Sequence, residues 1–250
     1  MHRLSRSCVF CIFGCLVNHS ANAETAIVDW SGPYAGVNIG YASGSSDFSY
    51  TPPGSPFTSA VDEYSEIGSG SFSPDSFTGG IQAGYNWQFG SFVLGAEGDI
   101  NVLSLNDDFE NIDAPLGNVE LASVATIEAD WLATLRARAG FTYGRSLIYA
   151  TGGAAFSDIS FSQENTYDSL GTQEFSSSSI ETGWVLGGGI EHNFGKSVYG
   201  KNWTIKAEYL YTDFGDIADG DAPFEDFVGD HEHSADLSMS VFRLGVNVHF

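Results

Sequence analysis

The sequence predicts an all-β fold, namely an eight-stranded, antiparallel, up-and-down barrel that crosses a membrane. The first reason is that segments with an apolar residue at every second position recur along the chain, which is typical of strands with one apolar face and one polar face. The second is that short and long connections alternate between these segments, so that all the long loops fall at one rim. A soluble sandwich can show the first pattern, but it has no reason to show the second.

The first 23 residues have the pattern of a cleaved secretory signal peptide. Arg3 and Arg6 precede the apolar run CVFCIFGCLV, and residues 21–23 (Ala-Asn-Ala) form a small-residue cleavage site. All three cysteines lie in this segment, so residues 24–250 are predicted to form one barrel domain without disulfides. Lipidation of Cys15 is an alternative, which the bulky residues before it disfavour. No later stretch reaches the ~18 apolar residues that a spanning helix needs.

Eight segments have the period of two residues that strands show. We place them at about residues 34–41, 77–89, 92–103, 126–142, 147–156, 181–194, 203–212 and 237–250. The long connections are residues 42–76, 104–125, 157–180 and 213–236, and the others are short. In an exported barrel of this layout, both termini lie on the periplasmic side of the outer membrane and the long loops lie outside the cell.

Charged residues in the strands all fall on the face that is predicted to line the lumen. In the fourth strand these residues are Glu128, Asp130, Arg136 and Arg138. An Arg or Lys that faced lipid at mid-bilayer would cost about 2–4 kcal/mol, so the charged face is the inner one. The candidates for ion pairs across the lumen are Glu97, Asp99, Arg136, Arg138, Glu191, Lys206, Glu208 and Arg243.

Strand heights predict which of these charges meet. Arg136 and Arg138 lie level with Glu97 and Asp99 on the preceding strand. By the same reasoning Lys206 lies level with Glu191, and Glu208 approaches Arg243. The lumen of an eight-stranded barrel is just wide enough for side chains to fill, which favours a plugged interior. A gated pore whose ion pairs exchange partners is the alternative.

Aromatic residues on the outer face sort into two belts, as expected of rings that lie at lipid headgroups. The belt at the periplasmic rim contains Trp87, Phe89, Phe92, Phe141, Phe194, Trp203 and Phe250, and the belt at the outer rim contains Tyr41, Trp131, Phe156, Trp184 and Tyr211. The last strand adds an outward apolar column that is typical of the assembly signal of outer-membrane barrels. Its members are Phe242, Leu244, Val246, Val248 and Phe250.

The long loops are strongly acidic and hold more than half of the 32 Asp and Glu residues, in a chain with a formal net charge of −23. This charge excludes nucleic-acid binding through a basic patch. His231, His233, Asp219 and Asp221 are weak candidates for metal ligands, because the spacing lacks a full calcium-loop pattern. A solvated charge run is the simpler interpretation, and we predict no resident cofactor.

No motif predicts catalysis. His231, Ser234 and Asp236 are residue types that a hydrolase uses, but nothing in the sequence fixes their geometry. A nucleophile motif such as G-x-S-x-G is absent from the sequence. We therefore predict that the protein is not an enzyme.

Four blocks carry a family resemblance: WSGPYAGVNIGYASG, WLATLRARAGFTYGRSLIYATGGAAF, TGWVLGGGIEHNFGKSVYGKNWTIKAEYLYTDFG and VFRLGVNVHF. Together they resemble the small porin-like outer-membrane surface proteins of alphaproteobacteria, which include rhizobial and Brucella surface antigens and Bartonella haemin-binding proteins. The resemblance implies an OmpA-like membrane domain inserted by the barrel-assembly machinery, with roles in envelope integrity and host contact.

Three functions stay open after this resemblance. The first is a structural and surface-interaction protein whose partners are outer-membrane lipid, lipopolysaccharide and ligands at the loops. The second is a porin for small solutes. The third is a haem or metal receptor that uses the fourth long loop, where His231 and His233 lie. The strong negative field of the loops disfavours an anionic porphyrin.

Overall fold

A computed structural model describes residues 28–51, 64–113, 121–167, 171–196, 200–223 and 230–250, without the side chains of residues 113, 167, 219–223, 230 and 231. The predicted signal peptide lies outside these residues. The described chain forms a helical turn at residues 64–67 and nine strands. The strands are β1 (Gly32–Thr51), β2 (Gly70–Phe72), β3 (Asp75–Phe89), β4 (Phe92–Asp113), β5 (Leu121–Tyr143), β6 (Ser146–Tyr167), β7 (Gly171–Lys196), β8 (Asn202–Pro223) and β9 (Asp230–His249).

The sheet closes on itself. From β3 onward each strand pairs antiparallel with the next in the chain. The ring is completed because β1 pairs with β3 on one side and with β9 on the other, so that Tyr41 lies opposite both Phe77 and Phe242. The tight turns at Gly90 and Gly144 have φ of 65° and 59°, a left-handed conformation that favours glycine. The sheet is therefore an antiparallel barrel.

The structure has nine strands where the sequence predicted eight, because β2 is separate from β3. Both pair with β1 in one continuous register, with Phe72 opposite Ser46 and Asp75 opposite Ser43. Pro74 lies between them and has no N–H to donate to the ladder, although its carbonyl accepts the amide of Gly44 at 2.7 Å. β2 thus continues the line of β3 beyond a proline interruption.

The strands are much longer than a membrane requires. β1 contains 20 residues and β7 contains 26, whereas about 9–11 tilted residues span a bilayer. In each stretch predicted as a long loop, most of the described residues are strand instead, which corrects that prediction. These stretches alternate small polar residues outward with apolar residues inward, as Phe48 and Tyr50 show in β1.

A β-bulge in β5 changes which residues point into the barrel: odd-numbered residues before the bulge and even-numbered residues after it. Its register with β6 shifts between Ala129 and Leu132, and both of these apolar side chains are buried inside the barrel. Glu128 and Asp130 are exposed on the outside, so the prediction that they face the lumen is wrong. An added residue reverses an alternation of period two, which is the physical reason for the difference.

The outer face below the bulges is apolar. Ile39, Ile81, Leu135 and Leu186 are all more than half exposed there, which leaves their side chains for lipid. The aromatic residues of this face have partly or fully exposed side chains, and Phe77, which the sequence analysis did not place in a belt, packs edge-on against Tyr41. Among the described residues no helix is long and apolar enough to cross a membrane.

The end of the barrel opposite the short turns is a head that splits into two sheets. The head comprises residues 45–51 of β1, β2, and residues 103–113, 121–132, 157–167, 171–183, 214–223 and 230–238 of β4 to β9. Pairing of β3 with β4 stops at Gly79 and Val102, and pairing of β7 with β8 stops at Trp184 and Asp213. One half of the head is therefore made of β4 to β7, and the other half of β8, β9, β1 and β2.

An apolar core fills the space between the two halves of the head. It includes Phe48, Phe72, Leu105, Ile127, Leu132, Ile159, Phe161, Phe214, Ile217, Leu237 and Met239. Phe48 stacks on Phe72 at 4.9 Å between ring centroids. The described parts of the long acidic loops thus belong to a packed, largely β-structured head.

Candidate functional site

The eight predicted lumenal charges form one layer inside the barrel. This lumenal charge layer consists of Glu97, Asp99, Arg136, Arg138, Glu191, Lys206, Glu208 and Arg243. None of the eight residues is more than 8% exposed. Four positive and four negative side chains balance each other, so the layer has no formal net charge.

Arg136 on β5 occupies the centre of the layer. Its Nη2 atom lies 2.8 Å from Asp99 and also pairs with Glu97, while its Nη1 atom lies 3.1 Å from Glu208 on β8. The predicted contact with β4 is therefore present, and it is extended across the lumen to a strand that the sequence did not connect to Arg136. One guanidinium holds three carboxylates, which uses the planar fork of donors that Arg has and Lys lacks.

Arg243 on β9 links the same carboxylates from the other side. Its Nη2 atom lies 2.6 Å from Glu208, the predicted neighbour, and its Nη1 atom lies 3.0 Å from Asp99. Asp99 and Glu208 are therefore each shared by Arg136 and Arg243. Buried carboxylates with two guanidinium partners are well compensated for the water that they have lost.

Lys206 lies level with Glu191 as predicted, but it pairs with a different carboxylate. Lys206 and Glu191 are opposite each other in the register of β7 and β8, but the ammonium of Lys206 lies 2.8 Å from Glu97 across the lumen. Glu191 instead pairs with Arg138 at 2.8 Å and accepts a hydrogen bond from Thr204 at 2.5 Å. Strand height predicted the level of these residues along the barrel axis. Because the lumen is narrow, however, a long side chain such as that of Lys206 also reaches carboxylates on the opposite wall.

Two tyrosines donate hydrogen bonds to carboxylates of the lumenal charge layer, and sequence reasoning missed both. The hydroxyl of Tyr149 donates to Glu208 at 2.8 Å, and that of Tyr34 donates to Glu97 at 2.7 Å. The guanidinium of Arg138 lies over both rings, 4.5 Å from the centroid of Tyr149 and 5.2 Å from that of Tyr34. Both residues occupy inward-facing positions in the alternating pattern of β1 and β6, and this pattern could have identified them from the sequence.

An apolar and aromatic group closes the lumen at the end near the short turns. Trp30, immediately before β1, is fully buried with Val93 and Leu147. Its ring meets His249 edge-on at 5.6 Å, and its amide donates to Gln88 Oε1 at 2.7 Å. Trp30 therefore lies in the mouth of the barrel, just before the first strand.

The last strand has the predicted column on its outer face. Phe242, Leu244, Val246, Val248 and Phe250 are between 37% and 62% exposed. Arg243, Asn247 and His249 point the other way and are buried. The structure gives the geometry of this column, and its role as an assembly signal stays a prediction.

His233, a weak metal candidate, is buried in the head. One of its ring nitrogens lies 2.8 Å from Gln173 Nε2, and the other lies 2.9 Å from Gln163 Oε1. The ring stacks flat on Phe175, with 4.6 Å between centroids and an interplanar angle of 1°. Both nitrogens thus already have polar neighbours inside the head. The side chains of the other candidates, His231, Asp219 and Asp221, lie outside the described residues.

The described part of the chain contains no group of three or more His, Asp or Glu side chains placed to hold a metal ion. Nor are Ser234 and Asp236 arranged as a catalytic pair. The hydroxyl of Ser234 lies 2.7 Å from that of Ser49, and Asp236 accepts the amide of Asp47 at 2.9 Å. These side chains bond across the β1–β9 pairing, which is a structural use.

The interior can therefore be described as three levels, each occupied by side chains. Trp30 and its neighbours close the lower mouth, the lumenal charge layer occupies the middle, and the apolar core fills the head. Breaking one ion pair would leave a charge in a low-dielectric space, which is strongly unfavourable.

Comparison with known proteins gives consistent matches. The family model for the outer membrane protein beta-barrel domain matches residues 11–250. The 31 kDa outer-membrane immunogenic protein of Brucella melitensis biotype 1 is 35% identical over 227 residues, which cover 88% of this chain and 84% of that protein. The 25 kDa outer-membrane immunogenic protein of Brucella abortus biovar 1 is 26% identical, covering 74% and 66%. The 22 kDa outer membrane protein of Rhizobium leguminosarum bv. viciae is 28% identical, covering 55% and 53%.

Proposed function

The chain belongs to the outer membrane protein beta-barrel domain family, and from this premise we propose that it is a closed, non-catalytic anchor that presents a rigid acidic head at the cell surface. The resemblance to Brucella and rhizobial outer-membrane proteins is confirmed. Its location in the outer membrane follows from the same relatives. The proposal concerns the role in the envelope, the orientation and the absence of transport and catalysis.

The observation that carries the proposal is the lumenal charge layer. A conducting pore needs a continuous file of water, whereas here Arg136 and Arg243 connect opposite walls of the barrel through Glu208 and Asp99. The apolar core above the layer adds a second barrier, since an ion would lose its hydration there. Both features support a structural protein over a porin.

We propose that the head faces outside and that both termini lie on the periplasmic side. The short turns at one end of the barrel and the long, largely polar outer surface of the head at the other support this orientation. Arg145, Lys196 and Lys201 lie at the short-turn end, whereas the head contains no Lys or Arg at all. The partners that we propose are membrane lipid and lipopolysaccharide around the barrel, the barrel-assembly machinery during insertion, and external ligands at the head.

The surface role is supported by the names of the Brucella relatives, which describe them as immunogenic outer-membrane proteins. We propose the same exposure for this chain, with envelope integrity as the contribution of the barrel. The haem alternative has less support, because the ring of His233 is buried against Phe175 and both of its nitrogens have polar neighbours.

Conductance in planar bilayers tests whether the barrel is closed. We expect the purified wild-type protein to show no stable openings, and Arg136→Ala/Arg243→Ala to leak more than wild type because it removes the two guanidiniums that join Asp99 to Glu208. Lys201→Ala, at the short-turn end, is the control and should match wild type. Large, stable openings of the wild-type protein would establish a porin instead.

Orientation is tested on intact cells with a membrane-impermeant maleimide. If the signal peptide is removed as predicted, the mature chain has no cysteine, so a single introduced thiol gives a clean signal. We expect Ser178→Cys in the head to be labelled and Ser91→Cys in the first short turn to be labelled only after lysis. The reverse result would invert the orientation.

A further inference from the structure

The upper part of β7 has one open edge in the described structure. Residues 171–183 pair with β6 along their whole length, with Gly171 opposite Tyr167 and Gly183 opposite Ala155. On the other side, pairing with β8 begins only at Trp184. We call the side of residues 171–183 that faces away from β6 the open β7 edge.

The register identifies which backbone groups line the open β7 edge. In an antiparallel ladder, alternate residues bond to the same neighbouring strand. The amide of Asn193 donates to Arg145 O at the β6 side, and the β6–β7 register runs without a shift from there to Gly171. Odd-numbered residues therefore turn to β6. Even-numbered residues from 172 to 182 direct their N–H and C=O groups to the open edge, and their side chains point outward.

The equivalent gap on the other side of the head is closed by side chains. Between β3 and β4, Thr78 Oγ1 donates to the carbonyl of Val102 at 3.0 Å, and the amide of Ser104 donates to Ser76 Oγ at 3.0 Å. Further up, the amide of Ser73 donates to Asp107 at 2.9 Å. Within the described residues no such bond joins residues 171–183 to β8. In the described part of the chain, the gap between β7 and β8 therefore differs from the gap between β3 and β4.

The side chains of this edge do not protect it against strand addition. Edge strands are usually shielded by charged side chains, especially Lys, by Pro or by a bulge, and residues 171–183 contain no Lys, no Pro and no bulge against β6. They carry instead Glu174, Glu181 and a run of four serines at 176–179. Beside the edge, Phe175 packs on the apolar core that contains Phe214 and Ile217. A strand added here would place one face in water beside Glu174 and the other over apolar side chains.

We propose that the open β7 edge binds an extended, basic polypeptide segment by strand addition. Main-chain hydrogen bonds to the even-numbered residues supply the pairing, and alternate lysine or arginine side chains lie beside Glu174. A second copy of this chain is a poor occupant, because the head has only acidic charges and would repel itself. The inference rests on the proposed orientation only in placing the partner outside the cell.

The test uses the full-length mature protein in detergent micelles and a labelled, blocked octapeptide of alternating lysine and valine, followed by fluorescence anisotropy. Ser176→Pro removes one free N–H from the open edge and spares the bonds to β6, whereas Ser176→Ala keeps that N–H. We expect Ser176→Pro to weaken binding about tenfold and Ser176→Ala to change it by less than about twofold. Glu174→Lys should weaken it about fivefold or more.

A matched pair of peptides separates strand addition from simple charge attraction. In an antiparallel pair, two residues whose backbones hydrogen-bond to each other have their side chains on the same face of the sheet. The even-numbered residues of β7 point their side chains outward, so in an added antiparallel strand the backbone groups of the outward lysines bond to them. Methylation of the lysine amides should therefore abolish binding, and methylation of the valine amides should not. Equal binding of both peptides, no binding of the unmodified peptide, or self-association of the protein through Ser176→Cys cross-links would each overturn the inference.

These outcomes are independent of the proposed function. Peptide binding is measured on purified protein, so it neither needs nor tests the orientation in the cell. A reversed maleimide pattern with intact peptide binding would refute the surface location and leave strand addition standing. The opposite combination would refute strand addition and leave the closed surface anchor in place.

Discussion

The carboxylate of Asp158 on β6 holds the backbone of Trp131 on β5 at the bulge where the barrel changes its facing. Asp158 Oδ1 lies 3.2 Å from the amide of Trp131 and 3.2 Å from that of Asp130. The hydroxyl of Ser157 completes the contact by donating to the carbonyl of Trp131 at 2.7 Å. The bulge is thus fixed by side chains of the neighbouring strand, and with it the boundary between the lipid-facing barrel and the head.

Replacing Asp158 should loosen this boundary. We expect Asp158→Ala to lower the free energy of unfolding by about 1–3 kcal/mol, because two amides lose a charged acceptor. Asp158→Asn, which keeps one acceptor oxygen, should cost less. Ser160→Ala on the same strand is the control. Urea titration in lipid vesicles measures the free energy of unfolding. Equal stability of Asp158→Ala and the wild-type protein would contradict this role of Asp158.

The bulge also predicts where a cation is tolerated on β5. Leu135 below it is 64% exposed on the outer face, and Glu128 above it is exposed on the same side of the barrel wall. We expect Leu135→Arg to lower the stability in vesicles by about 2–4 kcal/mol, because the charge faces lipid. Glu128→Arg should be nearly neutral, because the head lies in water. A comparable loss from both would show that the hydrophobic band extends past the bulge.

Arg136 should be the most sensitive position of the lumenal charge layer. Arg136→Met leaves Glu97, Asp99 and Glu208 with one partner fewer, and breaking a buried pair costs about 3–5 kcal/mol. Lys201→Met removes a cation near Phe250 at the exposed end and should cost about 1 kcal/mol or less. Heat-modifiable migration in detergent gels and urea titration both report the difference. A small effect at Arg136 would mean that water enters the layer.

Gly153 should not accept a side chain. A Cβ atom there would lie 2.8 Å from the Cα atom of Arg136 and still closer to the carbonyl oxygen of Leu135, so neighbouring backbones would have to separate. We expect Gly153→Ala to destabilise the barrel by about 1–3 kcal/mol or more. Gly98→Ala is the matched control, because its nearest neighbour would lie 3.7 Å away. Equal folding yields and unfolding midpoints would refute the close approach.

The lower barrel was largely predictable from the sequence, and the head was not. A strict alternation places Phe242, Leu244 and Val246 on one face of a strand, and because that face is apolar it must be the one that contacts lipid. The head keeps the same period, but small residues such as Ser45 and Ser49 occupy its outer face and resemble a loop. The change of phase in β5 did leave a signal, since Trp131 and Leu132 are adjacent apolar residues. The carboxylate that pairs with Lys206 lies on the opposite wall of the barrel. A comparison of neighbouring strands in the sequence does not show which residues face each other across the lumen.

The aromatic contact at the foot of the barrel joins residues that are synthesised far apart in time. Tyr34 stacks on His249 at 5.1 Å, and Trp30 meets the same imidazole edge-on. The first strand therefore gains its second neighbour, β9, only after the end of the chain has been exported, and until then the barrel is not closed. We therefore expect ring closure to be a late event, which leaves strand edges of the exported chain open to aggregation until the ninth strand arrives.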